Sequence, residues 1–138
     1  MTRTVLIIDD NKSVRELLSF LLDRRGYAVL AADDGPGGLA LAAQQPIAGA
    51  LIDVNMPGMS GNEVCRALKE QATKAGRTIA VWLMTGAPTT EGEKAAFDCG
   101  ALMLLAKPFD VPELLQRIET AIGPATQPGT KKDEQDLF

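Results

Sequence analysis

The stretch LIDVNMPGMSG, residues 51–61, carries an apolar run into a carboxylate, Asp53, and then breaks into Asn55, Pro57, Gly58 and Gly61. Continuous apolar character, without alternation, predicts a strand covered on both faces, as in parallel sheets. A strand tip holds its side chain on hydrogen-bonded backbone, so an acid there occupies a fixed position. Pro57 and Gly58 then shape the following loop, and Gly61 relieves crowding near the helix expected next. The plainer alternative is that Asp53 opens a turn, as aspartates before Pro-Gly often do.

Working outward, apolar runs recur at Val5–Ile8, Tyr27–Ala31, Ile47–Ile52, Ile79–Met84 and Leu102–Ala106. The third, with Gly49 and its alanines, is the weakest strand on propensity alone. Between the runs, Val14, Leu17, Leu18 and Leu21 follow helical spacing, with Ser13 and Glu16 as a capping box and Gly26 as a stop. Leu39–Gln44 predicts a second helix between Pro36 and Pro46, and Asn62–Lys69 a third with Val64 and Leu68 on one face. Thr89–Cys99 contains Gly92 and offers only Ala95, Ala96 and Phe97 for packing, so a fourth helix is expected to be short or loosely held. Asp110 and Glu113 cap a fifth around Pro112, ahead of the stripe Leu114, Leu115, Ile118 and Ile122.

Strand and helix therefore alternate five times over residues 1–122, which predicts one α/β domain. The expected architecture is a flavodoxin-like, doubly wound, five-stranded parallel sheet in the order 2-1-3-4-5 with five helices. Residues 123–138 lack periodicity and are expected to form a flexible tail.

Composition narrows the function classes. The chain has 138 residues, a net charge of -4 and no concentrated basic patch, which argues against direct nucleic-acid binding. Cys65 and Cys99 form no CxxC pair and read as small buried residues, so zinc and dithiol chemistry lack support. The opening MTRTVLIIDD is too short in apolar content for a signal peptide, and no run approaches the ~18 apolar residues of a membrane span. A cytoplasmic location is the default.

The residues following each run are more telling. The first run ends in Asp9 and Asp10, the third in Asp53, the fourth in Thr85–Gly86 and the fifth in Lys107–Pro108. In the expected strand order the first and third tips adjoin at the reversal point, where open α/β sheets bind ligands. Each residue has a dull reading: Asp10 or Asn11 as a helix cap, Thr85 as a strand end, Lys107 as a solvated surface lysine. Together they place three acids, a hydroxyl and an ammonium at one edge. Paired carboxylates at ~4 Å repel by about 4 kcal/mol at an effective dielectric of 20, which a hard divalent cation relieves.

The segments LIIDDN, LIDVNMPGMSG, MTGA and GALMLLAKPF, in this order and at these separations, resemble the receiver domain of two-component response regulators, the CheY-like family, over residues 3–122. The resemblance implies that Asp53 is the phosphoacceptor. Asp9, Asp10, Asp53 and the backbone carbonyl of Asn55 would hold Mg2+, with Asp10 the more direct ligand and Asp9 acting partly through water. Thr85 and Lys107 would contact the phosphoryl group, with Gly86 leaving it accessible, and Pro108 would follow a cis peptide bond. The donor would be a phosphohistidine on a sensor histidine kinase or phosphotransfer protein, and a downstream protein target would read the result. Such a chain is a switch that catalyses only its own phosphorylation and dephosphorylation.

Two positions depart from the family pattern. Leu104 stands where receivers usually carry a switching aromatic, three residues before the lysine. Leu102 and Met103 stand where acids are frequent, and they predict either local packing or an exposed patch for a partner or a second copy.

The leading expectation is a stand-alone, phosphorylation-controlled switch acting by protein–protein contact. One alternative is a magnesium-dependent small-molecule phosphohydrolase. It lacks an insertion to bind a substrate, and Asn55 stands where a second acid would complete a DxD pair. Others are a degenerate receiver that only scaffolds, and a receiver fragment of a regulator with a separate output domain. A histidine phosphotransferase is excluded, because the chain contains no histidine.

Overall fold

A computed structural model of the chain describes residues 2–126. In chain order the elements are β1 (Thr4–Ile8), α1 (Lys12–Arg24), β2 (Ala28–Ala32), α2 (Gly35–Gln44), β3 (Gly49–Asp53), α3 (Gly61–Lys74), β4 (Ala80–Thr85), α4 (Thr90–Asp98), β5 (Met103–Ala106) and α5 (Val111–Ile122). All neighbouring strands pair in parallel, in the order β2-β1-β3-β4-β5. The fold class expected from the alternation is the one observed.

Both faces of the sheet are covered, which explains why the central strands are apolar throughout. Val5, Ile7, Leu51, Trp82 and Met84 point to one face, where Leu18 and Leu22 of α1 and Leu114, Leu115 and Ile118 of α5 cover them. Leu6, Ile8, Ala50, Ile52, Val81 and Leu83 point to the other, against α3 and the single buried alanine of α4, Ala96. Helix α2 approaches this face closely: a Cβ at Gly38 would collide with the Ile8 side chain.

The strand weakest on propensity, β3, is buried along its whole length at the centre of the sheet. Its small residues have a packing reason. A Cβ at Gly49 would stand 3.1 Å from the Trp82 ring, so glycine leaves room for the large side chain on the neighbouring strand.

Several local expectations need correction. The Ser13–Glu16 capping box does not form; Asn11 is the N-cap of α1, its side chain accepting from the Val14 amide at 3.1 Å. The box pattern occurs instead at α3, where Ser60 and Glu63 bond reciprocally. Helix α3 runs on to Lys74, beyond the expected Lys69, because Ala72 continues the packing while polar residues face water. Helix α4 is short, as expected, but Phe97 does not pack under it and is 76% exposed. Within the stretch expected as a tail, the described residues 123–125 make contacts with the domain. Tyr27 donates to the Gly123 carbonyl at 2.7 Å, the Arg3 amide donates to the Ala125 carbonyl at 2.7 Å, and Ala125 is buried. The remainder of the expected tail, residues 127–138, lies outside the described residues.

The reassigned cap is testable by urea denaturation. Asn11→Ala is expected to cost about 1 kcal/mol, whereas Ser13→Ala stays within about 0.5 kcal/mol of the wild type. Equal losses in the two variants would return the cap to Ser13.

Candidate functional site

Register builds the site. Ile8 of β1 pairs with Ile52 of β3, so the residues that follow, Asp9 and Asp53, emerge side by side at the carboxyl edge of the sheet. Asp53 pairs with Met84 in β4, and Thr85 with Ala106 in β5, which brings the next tips, Thr85 and Lys107, to the same edge. One carboxylate oxygen from each of Asp9, Asp10 and Asp53 lies within 4.8 Å of the others. Asp9 and Asp53 are buried and Asp10 is exposed.

Lys107 reaches into this cluster. Its Nζ donates to Asp9 Oδ2 at 2.8 Å and stands 3.5 Å from Asp53 Oδ1. Burial raises the Asp53 carboxyl above its ordinary value and the Asp9 charge adds to this, while Lys107 and the Asn55 amide oppose it. For Lys107, burial disfavours the charge, but the bond to Asp9 and the charges of Asp9 and Asp53 outweigh it and raise the ammonium.

The oxygens of the cluster are unequally engaged. Asp9 Oδ1 accepts from the Asn11 amide at 2.8 Å and Oδ2 from Lys107, so both its oxygens are occupied. Among the described residues no donor is bonded to the Asp10 carboxylate. A set of three carboxylates suits a hard cation that retains water, with Asp10 the oxygen donor freest to meet it. The donor chemistry therefore fits Mg2+.

The surrounding backbone is tight on one side and open on the other. A Cβ at Gly61 would collide with the Asp53 carbonyl oxygen and come within 2.8 Å of Val54 Cα, so α3 can start there only with glycine. A Cβ at Gly86 would meet nothing within 4 Å, which leaves the approach past Thr85 clear. The Lys107–Pro108 peptide bond is cis. Leu104 is half-buried and packs toward the α4 side, near Gly92. Leu102 is 57% exposed, while Met103 is half-buried against the α1–α5 side, so the structure separates this pair.

Three contributors went unread in the sequence. Arg15 donates to the Asp9 carbonyl at 2.8 Å, the Asn11 amide holds the Asp9 carboxylate, and the Asn55 side chain donates to Thr85 Oγ1 at 3.4 Å. Only Asn11 carried a signal, through its place directly after the acid pair.

A family model described as the response regulator receiver domain matches residues 5–119. The chain belongs to the response regulator receiver family. Over 134 residues it is 34% identical to the uncharacterized transcriptional regulatory protein YkoG of Bacillus subtilis, covering 97% of this chain and 56% of that one. It thus spans about half the length of such curated relatives. Among solved structures, the chemotaxis protein CheY4 of Vibrio cholerae superposes with a TM-score of 0.80 at 31% identity, covering 88% of this chain and 99% of that one. The beryllofluoride-activated NtrC4 receiver domain dimer superposes with a TM-score of 0.78 at 27% identity, covering 86% and 95%. A receiver is a signalling module, which sets aside the small-molecule phosphohydrolase. Among the described residues no helix is long and apolar enough to cross a membrane.

The raised Asp53 carboxyl has a consequence for stability. A carboxyl raised on folding costs nothing below its unfolded value, where both states are protonated, and destabilises once pH exceeds its folded value. Asp53→Asn, metal-free, is therefore expected to melt above the wild type at pH 7, with the gap closing as pH falls through the raised folded value and gone below about 4. Thermal melts in EDTA across pH 3–8 check this. A gap that widens on acidification would contradict the assigned direction.

Proposed function

We propose that the chain accepts a phosphoryl group on Asp53 from a phosphohistidine donor, in a magnesium-dependent reaction, and signals through protein–protein contact. The observation that carries this reading is the convergence of Asp9, Asp10 and Asp53 within 4.8 Å, with Lys107 bonded among them. Asp53 Oδ attacks phosphorus in line as the phosphorus–nitrogen bond of the donor breaks, and the electron pair returns to the donor imidazole. Asp9, Asp10, Asp53 and the Asn55 carbonyl would hold the ion, which would neutralise charge on the transferring oxygens. Lys107 is already placed to take up phosphoryl charge by exchanging its Asp53 contact for one to the new group. Thr85 supplies a hydroxyl to the same group, and Gly86 leaves room for it.

The donor is a sensor histidine kinase or a phosphotransfer protein, which supplies the histidine this chain lacks. Residues 1–122 form the receiver, in the cytoplasm, where such donors present phosphohistidine. Its output surface is the α4–β5 side. Phe97 of α4 and Leu102 ahead of β5 are exposed apolar residues, and the dimeric NtrC4 receiver supports a second copy of the chain as occupant.

A second reading is that this sequence is the receiver portion of a longer regulator. It is favoured by the extent of the relatives, of which the match covers about half, and YkoG is named as a transcriptional regulatory protein. Under that reading nucleic acid is contacted by a separate domain and not by residues 1–122.

Two measurements test these proposals. Incubation with acetyl phosphate and Mg2+ is expected to add the mass of one phosphoryl group, and Asp53→Asn or EDTA to prevent it; a gain that persists in the variant would remove Asp53 as acceptor. Sedimentation with magnesium and beryllofluoride is expected to show self-association that Leu102→Asp weakens by about tenfold, the scale of one buried leucine at an interface. Unchanged association would exclude Leu102 from the contact.

A further inference from the structure

Asn55 touches both chemical groups whose meeting would constitute the switch. Its backbone N–H lies 3.4 Å from Asp53 Oδ1, and its side-chain Nδ2 donates to Thr85 Oγ1 at 3.4 Å. The Ala87 amide donates to the same hydroxyl oxygen at 3.1 Å. The Thr85 hydroxyl is thus tied to the loops after β3 and β4 at once. To swing toward a group on Asp53 it must release the Ala87 amide as well as the side-chain amide of Asn55. At 3.4 Å that bond is at the long end for N–H···O, and Asn55 is exposed, so water replaces Thr85 as its partner at little cost. Thr85 itself is buried, at 4% exposure, and needs a partner in either position.

We propose that Asn55 is a positioning residue whose side-chain amide latches the Thr85 hydroxyl in the unmodified protein and so sets how readily phosphorylation at Asp53 moves the β4–α4 loop. The proposal rests on the reading of Asp53 as phosphoacceptor. It concerns the side chain alone, since the carbonyl proposed for the metal survives any substitution. A latch that holds the resting arrangement lowers the apparent affinity for whatever captures Thr85 in the other one, in proportion to the competent fraction.

The test uses wild type, Asn55→Ala, Thr85→Val and the double variant. In the metal-free protein, three-bond couplings to the Thr85 methyl report its χ1. In saturating Mg2+, titration with beryllofluoride followed at the Ala87 amide reports capture of the hydroxyl. Asn55→Ala is expected to average the Thr85 rotamer and to tighten beryllofluoride binding by about two- to fivefold, the scale of one weak neutral hydrogen bond. In the Thr85→Val background the same substitution is expected to change nothing, because the latch acts through the hydroxyl. An unaltered χ1, weaker binding, or an equal gain in both backgrounds would overturn the latch. Failure of the wild type to bind beryllofluoride or to gain mass from acetyl phosphate would overturn the phosphoacceptor reading and the latch's role with it. The metal-free χ1 distinguishes that failure from one of the latch geometry itself.

Discussion

One ammonium between two buried carboxylates holds the functional edge of this protein together. Lys107 lies 2.8 Å from Asp9 and 3.5 Å from Asp53, both on strand tips that parallel register forces side by side. Without an internal cation the edge would expose two neighbouring buried negative charges to each other, a costly arrangement in a low-dielectric setting. The raised carboxyl of Asp53 shows that Lys107 compensates only partly, with burial and Asp9 outweighing it. A hard divalent cation among these oxygens would offset the residual imbalance. It also leaves Asp53 as the less firmly held of the two acids, with its nearer lysine contact longer than that of Asp9.

The backbone around these charges is preorganised. Beyond the strand ends the ladder continues: the Asp9 amide donates to Ala32, the Val54 amide to Met84 at 2.9 Å, and the Lys107 amide to Thr85 at 2.8 Å. Asp9, Lys107 and the residue directly after Asp53 are thus anchored to a neighbouring strand. Gly61 lets α3 abut the Asp53 carbonyl, closing the site from below. On the opposite side Gly86 and the exposed Asp10 leave it open to solvent.

Legibility in the sequence followed the range of the interaction. Strands buried on both faces announce themselves as apolar runs, so all five were readable within two residues, and their order then brought Asp9, Asp53, Thr85 and Lys107 to one edge. Even β3, poor in propensity, was recoverable because burial overrode propensity. Ser13 with Glu16 matched a capping pattern, yet Asn11 took the role, because the backbone turns into the helix directly after Asp10. Phe97 looked like an anchor for α4 but faces outward, and Ala96 is buried in its place. Contacts that cross between loops, Asn55 to Thr85 and Arg15 to the Asp9 carbonyl, have no local pattern and required coordinates. The fixing of residues 123–125 by Arg3 and Tyr27 was hidden for the same reason: its partners lie about a hundred residues away.

Output from the site depends on how firmly the β4–α4 region is held. Helix α4 buries a single residue, Ala96, and contains Gly92, whereas α1, α3 and α5 each insert at least two side chains into the core. Elements with so little buried area sit at the low-stability end of a fold and respond to small forces. Leu104 packs near Gly92 under the first turn of α4, in the place where the family usually carries a ring. A leucine there has no aromatic plane to turn inward, and it lies directly against the first turn of the helix. The weak helix is therefore the element beside the Thr85 loop that has the least packing to hold it in place. Its outward face carries Phe97, which adds nothing to the packing that holds the helix on the sheet.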